Sequence, residues 1–295
     1  MKKDNNDINS ISRYLHSMGH SEQTIRSYIY GIKNYLNANP EAEGYNYKDV
    51  LQYLGKKVID FNNSDTKNTL LASIKKYYDF LIEIGVRNNH PCRKIVLKRR
   101  KPKDVIHMDL FSSAELEMLM EREERYELLR LKNQTLISLL IYQGLTAGEL
   151  IKIKVKHVNM DGGYIFIKES RKTTRRHLDI LPRQLQLLEC YINEIRKEII
   201  RHDTESLLIG KLGTPIKIDD INYLISTFKP LFPERNLNPK TIRQSVIANW
   251  LNEKHIPLEQ VQLLAGHRWI SATIKYRNRP FTEQRELINR FHPIM

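Results

Sequence analysis

The segment that most constrains the fold is residues 240–276, which read KTIRQSVIANWLNEKHIPLEQVQLLAGHRWISATIKY. Apolar side chains at helical spacing predict a helix over residues 241–253 with one buried face. These side chains are Val246, Ile247, Trp250 and Leu251. The pattern places Arg243 in the first turn, where unpaired backbone N–H groups already favour a phosphate.

A second, shorter helix is expected directly after the first. Pro257 suits its first turn, and Gly266 ends it, so that His267 lies on a tight exit from the helix. Tyr276 follows that histidine by nine residues. A lone histidine or tyrosine is usually structural, but this combination and spacing indicate a site.

The stretch VQLLAGHRWISATIKY resembles the C-terminal signature of the tyrosine recombinases, the phage integrase family. In that family a Gly-His pair is followed by the nucleophilic tyrosine, and an arginine ends a His-x-x-Arg box upstream. The resemblance implies that Tyr276 is the nucleophile and that Arg243 and His267 are catalytic. Phenols ionise with a pKa of about 10, so such a nucleophile needs nearby cations and a general base.

Two positions depart from the family pattern. The family box Gly-Leu-Arg-x-x-Glu-Leu reads GLTAGEL over residues 144–150, with Thr146 in place of its arginine, and Lys240 replaces the box-two histidine. A missing guanidinium removes a bidentate phosphate donor that threonine cannot replace, and one such loss typically lowers the rate by about 10²–10³. We expect Lys240 to compensate in part. The sequence leaves three further candidates open: Arg175, Arg176 and Arg268.

A β-hairpin is expected between the two boxes. The strand YIFI follows residues 161–163, and a partner strand at about residues 177–181 would close the hairpin around the tip SRKTTRR. The resemblance implies a catalytic lysine in this hairpin that reaches into the minor groove. Lys172 is the matching residue, with Lys168 as its nearest rival. The tip and its surroundings supply the expected DNA contacts Arg171, Arg175, Arg176 and Arg268.

Three helices are expected in the N-terminal part, over residues 21–37, 48–59 and 64–84, with Ser21 as an N-cap. Their tyrosine-rich stripes are interpreted as core. This part resembles the core-binding domain of the same family. Seven of the eleven residues 93–103 are basic, which is typical of a solvated linker or of a segment that follows phosphates. We expect DNA contacts from Lys98, Arg99, Arg100 and Lys101.

The second domain is expected to begin near residue 107. Helices are predicted from Ser112 or Ser113 to residue 120, and over residues 128–142, 182–201 and 219–231. The predicted division is a core-binding domain over residues 1–92, a linker over 93–106 and a catalytic domain over 107–295.

The tail after Pro280 offers Thr282 as an N-cap for a short apolar-faced helix. So short a helix needs an apolar acceptor. It can pack on its own domain. The resemblance implies instead that it docks on a neighbouring protomer and links a tetramer on DNA.

Composition agrees with a DNA-handling protein. The chain has 295 residues, 48 Lys and Arg against 34 Asp and Glu, and a net charge of +14, which favours a polyanionic partner. Its two cysteines, Cys92 and Cys190, form no metal-binding or disulfide pattern. No apolar run approaches the roughly 18 residues of a membrane span, and no P-loop is present. We therefore expect a cytoplasmic protein, nucleoid-associated when bound to DNA, without membrane contact or cofactor.

These observations predict a multidomain, mainly α protein. A helical SAM-like core-binding domain would precede a mixed α/β tyrosine-recombinase catalytic domain with a small β-hairpin. The predicted function is site-specific recombination of double-stranded DNA at inverted-repeat half-sites through a 3′-phosphotyrosine. The alternatives are a cleavage-impaired, DNA-binding relative with an architectural or regulatory role and, less favoured, an RNA-binding protein.

Overall fold

The computed structural model describes residues 2–60, 64–97, 110–210 and 212–277. The chain forms two compact units, Met1–Lys103 and Asp104–Met295. Lys98, Arg99, Arg100 and Lys101, together with the predicted tail helix, lie outside the described residues. Within the described residues, no helix combines the length and apolarity needed to cross a bilayer.

The first unit consists of helices. They are α1 (Lys2–Ser17), α2 (Glu22–Ala38), α3 (Tyr47–Asp60) and α4 (Ser64–Glu83), with a 3₁₀ turn at Ala42–Gly44. The α2 cap is the predicted one, because the Ser21 side chain accepts from Thr24 N–H. The sequence analysis missed α1, whose sequence is mostly polar. Among its described side chains, residues 8–17, two apolar ones are fully buried, Ile11 and Leu15, about one turn apart.

Tyrosines fill the core of the first unit, as predicted. Tyr35 and Tyr78 are fully buried, and their hydroxyls lie 2.8 Å apart. Tyr78 donates onward to Ala42 O at 2.7 Å, so Tyr35 donates to Tyr78. Helices α2 and α4 approach closely at Gly31, where a Cβ would overlap the side chain of Ser73.

The second unit combines helices with a small antiparallel sheet. Its helices are α5 (Ser113–Glu117), α6 (Glu127–Ile141), α7 (Ala147–Leu150), α8 (Pro182–Cys190), α9 (Arg196–Ile199), α10 (Ile218–Ser226), α11 (Pro239–Asn252), α12 (Leu258–Ala265) and α13 (Ile270–Thr273). Short 3₁₀ segments extend several of these helices, and a π-helical segment, Tyr191–Ile195, joins α8 to α9.

The strands are β1 (Val158–Asn159), β2 (Tyr164–Ile167) and β3 (Arg176–Asp179), in the order β1-β2-β3. The predicted hairpin is β2 and β3, with Ile165 opposite Leu178 and Ile167 opposite Arg176. The two-residue strand β1 was not predicted. The fold class is therefore the predicted one, mainly α with a small β component.

Helix α11 runs through the core of the second unit. Four of its apolar side chains are buried in this core: Ile242, Val246, Ile247 and Trp250. The helix begins two residues earlier than predicted because the Asn238 side chain accepts from the backbone N–H groups of Lys240 and Thr241. Arg243 consequently lies in the second turn. Pro257 likewise precedes α12 as its N-cap residue, outside the first turn.

The loop between α6 and α7 packs directly on α11. Gly144 has a φ of +58°, and a Cβ there would lie 3.1 Å from Val246 Cγ1. A larger residue would therefore be strained and crowded. This contact brings the GLTAGEL segment against the helix that carries Arg243.

Candidate active site

The carboxylate of Glu149 is the centre of a buried polar cluster. Helix α7 is a single turn, capped by Thr146, whose side chain accepts from Glu149 N–H at 3.1 Å. In return, Glu149 Oε2 accepts from Thr146 N–H at 2.9 Å and from Thr146 Oγ1 at 3.0 Å. This reciprocal capping box fixes the carboxylate.

The second carboxylate oxygen binds the hairpin. Glu149 Oε1 accepts from Arg176 Nη1 at 2.8 Å and from Thr173 Oγ1 at 3.0 Å. Arg243 Nη1 lies 3.7 Å from Oε2. Burial alone would raise the pKa of the Glu149 carboxyl, but the hydrogen bond from Arg176 and the charges of both arginines outweigh burial and lower it to about 2. The carboxylate is therefore ionised at neutral pH.

Arg243 links three parts of the unit. Its Nη1 donates to Gly144 O at 2.6 Å, and its Nη2 donates to Ala265 O at 2.5 Å. The residue is 8% exposed. Arg243 therefore joins the loop before α7 and the C-terminus of α12 to its own helix, beside the Glu149 carboxylate.

The Gly266-His267 turn ends α12 as the sequence predicts. Gly266 has a φ of +67°, and His267 N–H donates to Gln262 O at 3.0 Å, which is the pattern of a Schellman cap. The turn is also joined to the hairpin. Thr174 N–H donates to Gly266 O at 3.0 Å, and Thr173 forms a β-bridge with His267.

His267 lies beside Tyr276. The two rings are nearly parallel, with an interplanar angle of 20° and centroids 6.3 Å apart. His267 Nδ1 lies 2.8 Å from the buried Thr273 Oγ1, which fixes the ring. Burial, and then the charges of Arg243 and Arg176, lower the pKa of the imidazole to about 4. His267 is therefore neutral at pH 7.

The segment with Tyr276 is anchored to α11. Asn252 Nδ2 donates to the carbonyl oxygen of Tyr276 at 2.8 Å, and the Tyr276 ring is half-buried against the core of the unit. The phenol thus has a defined position beside a neutral imidazole and near Arg243.

A basic cavity of about 450 Å³ lies next to Thr146. Its lining includes two acids, Glu149 and Glu169, and four exposed cations. The cations are Lys152, Lys168, Arg171 and Lys172. Both candidates for the hairpin lysine therefore face the same space.

The structure brings some of the predicted site residues together and leaves others apart. Arg243, His267 and Tyr276 meet around the Glu149 cluster, and Arg176 is buried within it. The remaining candidates are exposed. Lys172, Arg171 and Arg175 lie in the hairpin, Arg268 donates to Ser170 O at 3.0 Å, and Lys240 lies in the first turn of α11.

The sequence analysis missed three residues of the site. These are Glu149, Thr173, which binds Glu149, and Thr273, which binds His267. A local signal for Glu149 was available, because Thr146-x-x-Glu149 is the sequence pattern of a capping box. The hydrogen bonds of Thr173 and Thr273 depend on tertiary packing and have no comparable local signal.

Comparisons with known proteins identify the family. Residues 110–283 match the sequence model of the phage integrase family. The chain is 24% identical to the tyrosine recombinase XerD of Staphylococcus haemolyticus over 284 residues, which cover 93% of this chain and 94% of the relative.

Two solved structures share the fold. The integrase of the Tn1549 transposon, in complex with a circular intermediate DNA, has a TM-score of 0.66 and 14% identity, over 97% of this chain and 99% of the other. A lambda integrase tetramer bound to a Holliday junction has a TM-score of 0.66 and 16% identity, over 94% and 78% of the two chains.

We expect Gly266→Ala to destabilise the second unit more than Gly163→Ala. Both glycines have positive φ, which costs another residue about 1–2 kcal/mol. A Cβ at residue 266 would also lie 2.5 Å from Arg176 Nη1, whereas at residue 163 the nearest atom is Leu185 Cδ1 at 3.9 Å. Urea unfolding followed by tryptophan fluorescence measures this, since Trp250 and Trp269 both belong to the second unit. Equal losses of unfolding free energy in the two variants would show that the close packing of Gly266 on Arg176 adds no stability.

Proposed function

Because the chain belongs to the phage integrase family, we propose that it catalyses site-specific recombination of double-stranded DNA. Tyr276 attacks a backbone phosphate and forms a 3′-phosphotyrosine, while the 5′-oxygen leaves as a hydroxyl. Attack by a second 5′-hydroxyl on this intermediate restores the phosphodiester and releases the tyrosine. One phosphate ester replaces another in each step, so no nucleotide cofactor is needed.

The observation that carries the proposal is the position of the Tyr276 phenol. It lies beside the neutral imidazole of His267, next to the buried cluster that contains Arg243. An attacking phenol must lose a proton, and the phosphorane that follows carries additional negative charge. A neutral imidazole can accept or donate a hydrogen bond at this point, and the guanidinium stabilises the developing charge.

We propose that a lysine of the hairpin donates a proton to the leaving 5′-oxygen. An alkoxide is strongly basic and needs a proton as the bond to phosphorus breaks. Lys172 is exposed at the hairpin tip and faces the cavity beside Thr146, so it is the proposed donor, with Lys168 on the same cavity as the rival. Lys240, one turn before Arg243, is proposed to add positive charge at the edge of the site.

DNA is proposed to bind along the cationic surface around this cavity. Arg171, Arg175 and Arg268 are exposed there, and the basic segment before the second unit supplies Lys98, Arg99, Arg100 and Lys101. Each phosphate contact would release counterions and steepen the dependence of binding on salt. The structural neighbour that is a tetramer on a Holliday junction supports assembly on DNA. We propose a homo-tetramer on inverted-repeat half-sites, in the cytoplasm.

The covalent step can be tested by trapping. DNA duplexes that bind the full chain are first selected from a random library. A nick is then placed in each duplex so that cleavage releases a short strand, which diffuses away and leaves the covalent intermediate trapped. We expect a protein–DNA adduct that maps by mass spectrometry to Tyr276, loss of the adduct in Tyr276→Phe with binding retained, and a normal adduct in Tyr126→Phe, an exposed control. An adduct on another tyrosine would refute the assignment. Binding without any adduct would favour the architectural alternative.

Assembly is proposed to depend on the C-terminal tail. The last described helices carry exposed apolar side chains, Leu263, Trp269, Ile270 and Ile274, which offer an acceptor near the point where the tail begins. Deleting residues 281–295 should leave binding to a single half-site intact and abolish cooperative binding to paired half-sites. Gel shifts across a range of protein concentrations measure both. A truncated chain that still pairs sites cooperatively would rule out exchange of this tail.

A further inference from the structure

Arg176 has a buried guanidinium with an unpartnered edge. Its side chain is 5% exposed, and its Nη1 donates to Glu149 Oε1. Its Nε and Nη2 are buried without a hydrogen-bond partner among the described residues. In arginine, these two N–H groups point the same way, and this edge can bind two oxygens of one carboxylate or phosphate. Buried donors are normally paired, so this edge points to a ligand.

The strand register explains how an arginine comes to lie there. Residues of a strand alternate between its two faces. Arg176 pairs with Ile167 and Leu178 pairs with Ile165, and all four side chains are buried, whereas Arg175 and His177 are exposed. The backbone of Gly266 packs on the guanidinium, where any Cβ would collide with it. Arg176 is therefore held in place before any substrate arrives.

The cluster carries one positive charge in excess. Arg176 and Arg243 contribute two, Glu149 removes one, and His267 is neutral because burial lowers its pKa. An excess charge in a buried site is unfavourable until a counterion binds. A phosphodiester provides that single negative charge.

The other candidate cations lack this combination of burial and fixed geometry. Lys240 and Arg175 are exposed, and Arg268 is exposed with its Nη2 on Ser170 O. An exposed long side chain must lose rotamer freedom when it binds. A donor that is already oriented in a dry site stabilises developing charge more effectively.

We propose that Arg176 is a catalytic residue whose Nε and Nη2 bind two non-bridging oxygens of the scissile phosphate, in place of the guanidinium that Thr146 lacks. This inference rests on the proposed function. Phosphate entry requires a local opening, since the edge is inaccessible in the free chain.

The test compares Arg176→Lys with the wild type and with Arg125→Lys, an exposed arginine outside the proposed site and DNA surface. Lysine keeps the charge and can still pair with Glu149, but it lacks the planar pair of N–H donors. On the trapping duplex we expect Arg176→Lys to form the Tyr276 adduct about 10²–10³ more slowly at nearly unchanged binding, whereas Arg125→Lys should keep nearly the wild-type rate. A wild-type rate for Arg176→Lys would overturn the inference.

A neutral substrate separates phosphate contact from structural support. Replacing the scissile phosphate by a methylphosphonate removes the charge that the guanidinium would neutralise. The ratio of the wild-type rate to the Arg176→Lys rate should then fall by at least about tenfold relative to the phosphate duplex. An unchanged ratio would show that Arg176 acts only by holding Glu149, and would reject the phosphate contact.

A measurement on the wild-type chain is independent of cleavage and of whether the variant folds. In protein labelled with ¹⁵N-arginine, the Nε–H of Arg176 should be protected from exchange because it is buried. Inorganic phosphate, compared with chloride at equal ionic strength, should shift this signal more than any exposed arginine signal. An unshifted signal would overturn the inference even if Tyr276 cleaves DNA, and a shift without an adduct would leave it standing while the proposed function fails.

Discussion

The buried ion pair between Glu149 and Arg176 is the interaction on which the arrangement of the site depends. An unpaired carboxylate in this position would lose several kcal/mol of hydration, and the groups around it offset that loss only because they converge. Thr146 donates twice, Thr173 and Arg176 once each, and Arg243 lies within ion-pair distance. The donors come from the α7 cap, the hairpin and α11. One carboxylate therefore sets the relative positions of three separate segments.

The same arrangement gives Thr146 a structural role. Its hydroxyl caps α7 and supports Glu149, so the residue keeps the turn that presents the carboxylate. The space beside it is a basic cavity. The carboxylate thus has a buried guanidinium on its β3 side and exposed cations along the neighbouring cavity.

Much of this fold was predictable from local pattern. The limits of α2, α4 and α6, the β2–β3 hairpin and the Gly266 cap follow from periodicity and from residues with special backbone preferences. Helix α1 was missed because its polar residues mask a narrow apolar stripe. The start of α11 was missed because Asn238, which lies before the periodic segment, is the residue that caps it.

The site was predictable only in part, for a physical reason. The resemblance of residues 240–276 to the family signature indicated Arg243, His267 and Tyr276. It could not separate Arg175 from Arg176, since adjacent arginines differ only in which face of β3 they occupy. That choice is made by the pairing of Arg176 with Ile167, a contact between strands. The burial of Glu149 likewise depends on partners from distant segments, although its capping pattern was visible.

The most direct test of the central claim is a double-mutant cycle on Glu149→Gln and Arg176→Met. Urea unfolding is followed by the two tryptophans, which report the second unit alone. Each single change should lower the free energy of unfolding by about 3–5 kcal/mol, because it leaves a buried charge without its partner. The double change should cost less than the sum, with a coupling of about 1–3 kcal/mol. Losses that add within about 0.5 kcal/mol would contradict the account, since the carboxylate and the guanidinium would then not stabilise one another.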